Sequence, residues 1–589
     1  MRQSRHRRTL IRRIVVPVVG GALGVGALGT LPLAAGAAAS LGPSSSSTAP
    51  QALLVGTYHG IRGQYSTIQA AVDAAKKGDW ILIGPGDYHE RDDYAHPPTA
   101  AAASSGDMAG VLITTPGLTL RGMNRRTVIV DGTKLGAPTA CDSERKWQTF
   151  GVKGANGSRV GRNGIVVWKA NDVSIENLTV CNFLSGSGSA GNEIWWNGGA
   201  GSGRIGLHGY WGRYLTATTT YFDGESTAAG YGIFSSDSAG PALWNKVYAN
   251  NFNDSGMYVG ACHQVCDIII ANAWMENNAL GYSGTNSGGT IVIEHSQFDH
   301  NEDGFDTNTQ LNGDPPAPQN GRCPDGAISP ITHTRSCWVF RYNYVHDNNN
   351  PSVPRNGTAA EGPTGTGMTI SGGRFDTVEH NVVENNGAWG ILFVPYPDSN
   401  PPSLNQTCAG TGGIEFSGLG CVYDPEGDAL LHNTFRHNGF FGNPSNSDYG
   451  QITLFGGQPQ DCFADNYAPD GSAPSNLEQI QPTCGPLSKG ANTGGPLLAQ
   501  VLCDTGFGSC PAGAHYPTSS KVILTSVPKS LPTMPNPCSG VPVNKWCPAG
   551  SGSWLVRHLP APHRAPATNA GLSLPGGVLP RRLGPVAMD

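Results

Sequence analysis

Charge is scarce in this chain: Asp, Glu, Lys and Arg make up 14% of its 589 residues, and 37 basic residues face 43 acidic ones. Nucleic acid is thereby excluded as a partner, because binding it requires clustered Lys and Arg to neutralise phosphates. The densest basic run is six Arg within the first 13 residues, followed by the almost wholly apolar stretch Ile14 to Leu33 and by Ala37-Ala38-Ala39. That order is the pattern of an export signal over residues 1–39. The pair Arg7-Arg8 suits either a general secretory or a twin-arginine leader. The apolar run is long enough to span a bilayer, but its Gly and Pro and its small-residue end favour cleavage, so no stable membrane insertion is expected. Without residues 1–39 the chain keeps 31 basic and 43 acidic residues, a formal net charge of −12. Such a balance disfavours a polyanionic substrate unless a cation bridges the two.

Cysteine is absent before Cys141, and all 14 lie between there and Cys547. An even number in an exported chain points to disulfides. Proximity favours Cys262 with Cys266, Cys323 with Cys337, Cys408 with Cys421, and Cys503 with Cys510, although spacing alone does not fix connectivity. Cys262 and Cys266 lack a second ligand pair at zinc spacing, so a loop staple is expected there.

Also missing is the leucine pattern of a leucine-rich repeat, yet a repeat is present. The 82 Gly and 44 Pro suit a turn-rich β protein. Segments such as "IVIEHSQFDHNEDGFDT", "DTVEHNVVENNGAWGILF" and "ALLHNTFRHNGFFG" share one frame. A short β run leads to Asn or Ser, an apolar residue follows two on, and Asn or Ser recurs five after the first. The frame positions are Asn177, Asn250, Asn272, Ser296, Asn343, Asn381 and Asn433. Gly232, Gly256, Gly281 and Gly304 open the following strands at intervals of 24, 25 and 23 residues. Three strands of about five residues and their turns use up such a period. Asn tolerates the left-handed backbone of a sharp bend, and stacked amides can bond from coil to coil, so the frame Asn are read as structural. A solenoid needs its first coil covered, and "YSTIQAAVDAAKKGDWILIGPGDYHE", Tyr65 to Glu90, supplies a short helix with apolar Ile68, Ala71, Val72 and Ala75.

This cap, with the "N-x-apolar-x-x-N" and "G-apolar" repeats, resembles the right-handed parallel β-helix, or pectin lyase-like, superfamily over roughly Tyr65 to Asn466. The resemblance implies an all-β, right-handed parallel β-helix with an N-terminal capping helix. The domain reading is a signal over 1–39, a linker over 40–64, the solenoid over 65–484, and a Pro/Gly-rich segment over 485–589 that covers the last coil and is disordered after about Ser553. The superfamily hosts lyases, hydrolases, epimerases, esterases and noncatalytic adhesins, so fold does not give reaction.

In this family substrates lie along the first strand of each coil. By resemblance those strands begin at Gly164, Gly206, Gly232, Gly256, Gly281, Gly304, Gly367 and Gly390. Period-two alternation sends Ile165, Leu207, Ile233, Met257, Tyr282, Phe305, Met368 and Ile391 inward. Outward go Val166, His208, Phe234, Tyr258, Ser283, Asp306, Thr369 and Leu392, and two positions on Trp168, Tyr210, Ser236, Thr285, Asn308 and Ser371. Aromatics beside hydroxyls and a carboxylate suit sugar rings, and they equally suit a satellite core beneath a long loop. The insertion from Leu311 to Cys337 brings Asp314, Asp325, His333 and Arg335 toward Asp306, and the insertion Phe183 to Arg204 offers Glu193, Trp195 and Trp196 as a groove wall. Glu302 and Asp303 enter the strand at a turn. His295, His300, His346 and His380 read as solvated turn residues.

No subfamily signature is intact. "NEDGFD" and "GLHG" stand where polygalacturonase-like hydrolases have "NTDG" and "GHG", and "DGFDTN" only partly matches the "YGFDPHD" of alginate epimerases. The expectation is a secreted carbohydrate-active protein, lyase-like, acting on an extracellular polysaccharide. In that reading Asp306, Asn308, His333 and Arg335 are catalytic, and Asp303 with Asp306 hold Ca2+. Trp168, His208, Tyr210, Phe234, Tyr258 and Trp195 contact the glycan. The alternatives are a noncatalytic polysaccharide binder, a glycoside hydrolase or a uronate epimerase.

Overall fold

The computed structural model describes residues 49–90, 108–154, 157–186, 191–199, 204–224, 227–308, 323, 326–355, 362–399, 407–455, 460–481, 484 and 495–554. The export signal and the end beyond residue 554 lie outside the described residues.

Short strands succeed one another around three sheets of twelve, ten and eleven strands whose neighbours run parallel. One coil contributes one strand to each: Ile291–Glu294, Gln297–Asp299 and Asp303–Asn308. The next coil lays Trp338–Arg341, Tyr344–His346 and Thr366–Ser371 beside them in register. This is a parallel β-helix, the fold that the repeats imply.

Two sharp turns make each coil. At the first, His295, Tyr342, His380 and His432 take left-handed backbone at φ between 51° and 55°, and the residue after each turns inward. Asn381 shows the consequence: its Nδ2 donates to Phe340 O and Asn433 Oδ1, both at 3.0 Å, while its Oδ1 accepts from Asn343 N at 2.9 Å. A second ladder five residues on joins Asn278, Asn301, Asn348, Asn386 and Asn438. Three frame positions differ from the expectation: Asn250 ends the strand Tyr248–Asn250 of the ten-strand sheet, Asn177 stands at the left-handed position at φ 58°, and Asn272 is likewise one residue out. It follows Ala271, the partner of Glu294, so it stands beside His295 at φ 53°, and Ala273 takes the ladder position.

Between the ladders the core is a column of side chains. Ile165, Ile233, Met257, Tyr282, Phe305, Met368 and Ile391 are buried in it as the alternation predicts. The glycines before them are steric requirements: a Cβ on Gly304 would lie 2.5 Å from Gly367 O and 2.7 Å from Asn348 Nδ2.

The helix Ile68–Ala74 begins where Thr67 accepts a hydrogen bond from Ala70 N, and it buries Ile68, Ala71 and Val72 in the same core. It packs on Ala52–Val55, Trp80–Ile83 and Ala109–Ile113, strands near the N-terminal end of the solenoid.

The C-terminal segment does more than cover the last coil. Leu477 joins the core beside the last coils, and the chain then returns along the solenoid as a strap. Thr525 N bonds Asn251 Oδ1, Thr533 Oγ1 bonds Asn177 Oδ1, and Arg121 bonds the carbonyls of Pro537 and Ser539. Val541 and Trp546 finally bury Leu54, Leu82 and Met123. All four expected disulfides form, with Cys141–Cys181, Cys462–Cys484 and Cys538–Cys547 besides. Seven disulfides belong to an oxidising, extracellular compartment. Among the described residues no helix is long and apolar enough to cross a membrane.

Candidate functional site

Strand register puts Val166, Trp195, Phe234, Tyr258, Ser283, Asp306, Thr369 and Leu392 in one line on the outer face of the eleven-strand sheet. Both ends of the line are closed. Val166, Trp168 and Trp195 are buried with Ala109 in a satellite cluster, and Leu392 and Val394 are covered by Leu497 of the helix Gly495–Asp504. The middle stays open: Phe234, Tyr258 and Asp306 are half-buried, as are Tyr231, Asp254 and Tyr396.

The aromatic side of this opening is built by stacking. Trp195 lies parallel to Phe234 at 5.0 Å, Tyr231 stacks on Phe234 at 4.7 Å, and Tyr258 meets both edge-on at 5.0 and 5.2 Å. The polar side is a run of acids and hydroxyls. Tyr231 Oη donates to Asp254 Oδ2 at 2.9 Å, Ser255 Oγ to Asp254 Oδ1 at 2.7 Å, and the hydroxyls of Ser255 and Ser283 are 2.5 Å apart. In the next coils Ser371 Oγ donates to Asp306 Oδ1 at 2.8 Å and Thr369 Oγ1 to Asp303 Oδ2 at 2.6 Å.

Burial raises Asp306 to about 6 against the hydrogen bond from Ser371, and the charge of Asp254 adds to the rise. Asp254 is likewise pushed by burial to about 6. Asp303, fully buried and next to the charge of Asp306, is raised well above the usual carboxyl range. Among the described residues the charges acting on these two groups are themselves acidic: Asp306 and Glu302 on Asp303, and Asp254 on Asp306. Tyr396 belongs to a small antiparallel sheet with Ile414–Phe416 and Gly420–Tyr423, clipped by Cys408–Cys421. Burial raises its hydroxyl, with Asp398 and Asp306 adding charge.

Several expected site residues lie elsewhere. Leu207–Arg213 is a strand of the twelve-strand sheet, so His208 is exposed on another face and Tyr210 is buried in the core, 3.1 Å from Ser235 Oγ. The strand that fills its supposed place is Asn192–Asn197, expected as a loop wall. It escaped the glycine frame because Glu193 stands where its neighbours have Gly, with Oε1 turned back to accept from Phe183 N at 3.1 Å. Trp195 and Trp168 are packing residues of the satellite cluster rather than open platforms. His333 and Arg335 are exposed in a loop whose Ile331 packs on Ala429 and Cys462, residues of the twelve-strand sheet, so that loop leads away from Asp306. Asp303 is a buried strand residue, and Glu302 pairs with Arg355 at 3.0 Å. Asp314, Asp325 and the Asn308 side chain lie outside the described residues. A calcium ion at Asp303 and Asp306 would find two carboxylates and nearby hydroxyls. Among the described residues no third His, Asp or Glu ligand atom converges with theirs.

Sequence reasoning missed Tyr231 and Asp254. Tyr231 pairs with Ser255 in the column that leads to Asp303, so the residue before each glycine was the available signal.

No family model and no curated protein sequence matches this chain. Among solved structures it is similar to the A-module of the Azotobacter vinelandii mannuronan C-5 epimerase AlgE4, at 12% identity over 68% of this chain and 90% of that one, with a TM-score of 0.37. It is similar to a Paenibacillus alginate lyase at 12% identity over 65% and 95%, TM-score 0.28. It is also similar to an α-1,3-glucanase of Streptomyces thermodiastaticus at 12% over 72% and 68%, TM-score 0.33.

Proposed function

We propose that this protein processes an extracellular glycan laid along the eleven-strand sheet between its two apolar ends, with Asp306 as the group that moves a proton. The carrying observation is Asp306 itself, a half-buried carboxyl held at about 6, with Phe234 and Tyr258 on one side and the Ser371 and Thr369 hydroxyls on the other. Half-open rings take the C–H faces of sugars, and carboxyl and hydroxyl groups take their hydroxyls. A carboxyl that titrates near the working pH both gives and takes a proton effectively. Asp303 beside it is fully buried under Thr369 and out of reach of a glycan, so the second carboxyl of the open stretch is Asp254, half-buried and raising Asp306 by its charge.

This composition favours acid-assisted cleavage over the β-elimination expected from sequence. Elimination requires a positive charge on the uronate carboxylate. Among the described residues the charges acting on Asp303 and Asp306 are acidic, and His333 and Arg335 belong to a loop that packs on the twelve-strand sheet. Ca2+ shared between Asp306 and a uronate would supply that charge, so dependence on Ca2+ separates the two reactions.

The test is a screen of the purified protein on neutral plant and microbial glycans, pectate, alginate and glycosaminoglycans, with Ca2+ and with a chelator. New reducing ends and the ultraviolet absorbance of unsaturated uronates are both recorded. Reducing ends without absorbance, lost in Asp306→Asn while glycan binding persists, is the expected result. Absorbance only with Ca2+ would make it a lyase, binding without turnover a noncatalytic receptor, and undiminished activity in the variant would remove Asp306 from the reaction.

A further inference from the structure

A second cluster of chemistry-bearing side chains lies in the ten-strand sheet, outside the groove. Gly86–Tyr88 pairs with Val128–Asp131 so that Tyr88 faces Val130, which brings His89 opposite Asp131. Alternation along the strand puts Asp87 and His89 on one side. A carboxylate oxygen of Asp87, a ring nitrogen of His89 and a carboxylate oxygen of Asp131 all lie within 4.8 Å of one another. His89 Nδ1 is 2.9 Å from the carbonyl oxygen of Thr133, which can only accept, so Nδ1 carries the hydrogen. Nε2 then faces Asp87 Oδ2 at 3.2 Å, acceptor against acceptor, unless a positive centre stands between them.

The buried member is held in place independently of the other two. Asp131 is fully buried and accepts from Thr133 N at 2.7 Å and Cys141 N at 2.6 Å, and Cys141 is tied by a disulfide to Cys181, the strand partner of Asp131. Asp87, with a third of its side chain exposed, stands at the open edge. An imidazole nitrogen oriented by a carbonyl at its other nitrogen is the usual support of a metal-binding histidine.

We propose that Asp87, His89 Nε2 and Asp131 bind a borderline divalent cation of the zinc class, with water completing the shell, and so clip together the first two strands of the ten-strand sheet. One nitrogen and two carboxylates suit Zn2+, whereas Ca2+ and Mg2+ favour all-oxygen shells of six or more ligands.

The whole protein, dialysed against chelator, is titrated with Zn2+ by calorimetry and with Co2+ by visible absorption. The expected result is one tight equivalent of each, weakened about tenfold or more in His89→Ala and in Asp131→Asn. Circular dichroism checks the fold, and Asp87→Asn at the exposed edge serves if either buried variant fails to fold. Asp306→Asn binds both metals unchanged. The proposal is overturned by absence of a tight equivalent, which leaves a proton as the positive centre. Binding unaffected by all three variants, or tighter binding of Ca2+ than of Zn2+, overturns it equally.

Discussion

At the scale of single residues, Asp306 and Asp303 have similar sequence surroundings and different fates. Asp306 faces the open middle of the groove, while Asp303 is sealed under Thr369. As a general acid Asp306 must be protonated, so kcat/KM falls as the pH climbs through about 6. A rate that rises through that range would make it the base instead. Asp306→Asn keeps the melting temperature or raises it at neutral pH, because it removes a carboxyl whose ionisation burial already opposes. The two aromatics that stack on each other also divide. Phe234→Ala at the half-open position weakens glycan binding by ~1 kcal/mol, about the worth of a good aromatic contact. Trp195→Ala, buried in the satellite cluster, costs ~3 kcal/mol of stability, measured by denaturant unfolding. Alternation located Asp306 and Phe234 in the sequence. It could not say that Trp195 and Trp168 would be covered, since that depends on which groups from distant parts of the chain pack above them.

At the scale of elements, the turn ladders carry the solenoid. Asn381→Ala removes an amide that joins two coils to its own and leaves buried backbone groups unpaired, which costs ~2–3 kcal/mol. Asn272→Ala, one position off the ladder and exposed, puts Ala at φ 53° and removes the bond to Asn245 Oδ1, so it costs less, about 1 kcal/mol. Urea midpoints of the two variants check the contrast, and equal losses would mean that the outer turn residue carries as much as the inner. The repeat was legible because each coil needs the same left-handed residue and the same inward amide. The strand Asn192–Asn197 was not, because Glu193 replaces the marker glycine by burying its carboxyl, at the expense of a pKa raised well above the ordinary value.

At the scale of the whole molecule, buried carboxyls set the response to pH. Burial raises Asp461 to about 7, Asp254 and Asp448 to about 6, and Glu302 to about 8. The folded state therefore holds protons that the unfolded chain releases near pH ~4, and stability falls as pH rises from there. Their contribution is fully present below the unfolded carboxyl range and is lost as pH rises through about 6 to 8. Denaturant midpoints should accordingly be higher in mildly acidic than in mildly alkaline buffer, and a midpoint that increases with pH would contradict this. The returning strap gives a further expectation. A chain ended before Ser519 uncovers Leu54, Leu82 and Met123, so it binds a hydrophobic dye and melts earlier than the full chain.

The sequence by itself determined the solenoid, the ladder residues Asn343, Asn381 and Asn433 and the outward carboxylate, and by proximity pointed to four of the seven disulfides, because each of these follows from local rules: a left-handed turn, a period of two, a short loop closed by two cysteines. Only the tertiary structure decided that His333 and Arg335 leave the groove, that Tyr231 and Asp254 enter its network, and that the C-terminal strap reaches the first coils. Those placements depend on contacts between residues tens to hundreds of positions apart, where packing rather than local pattern selects the neighbour.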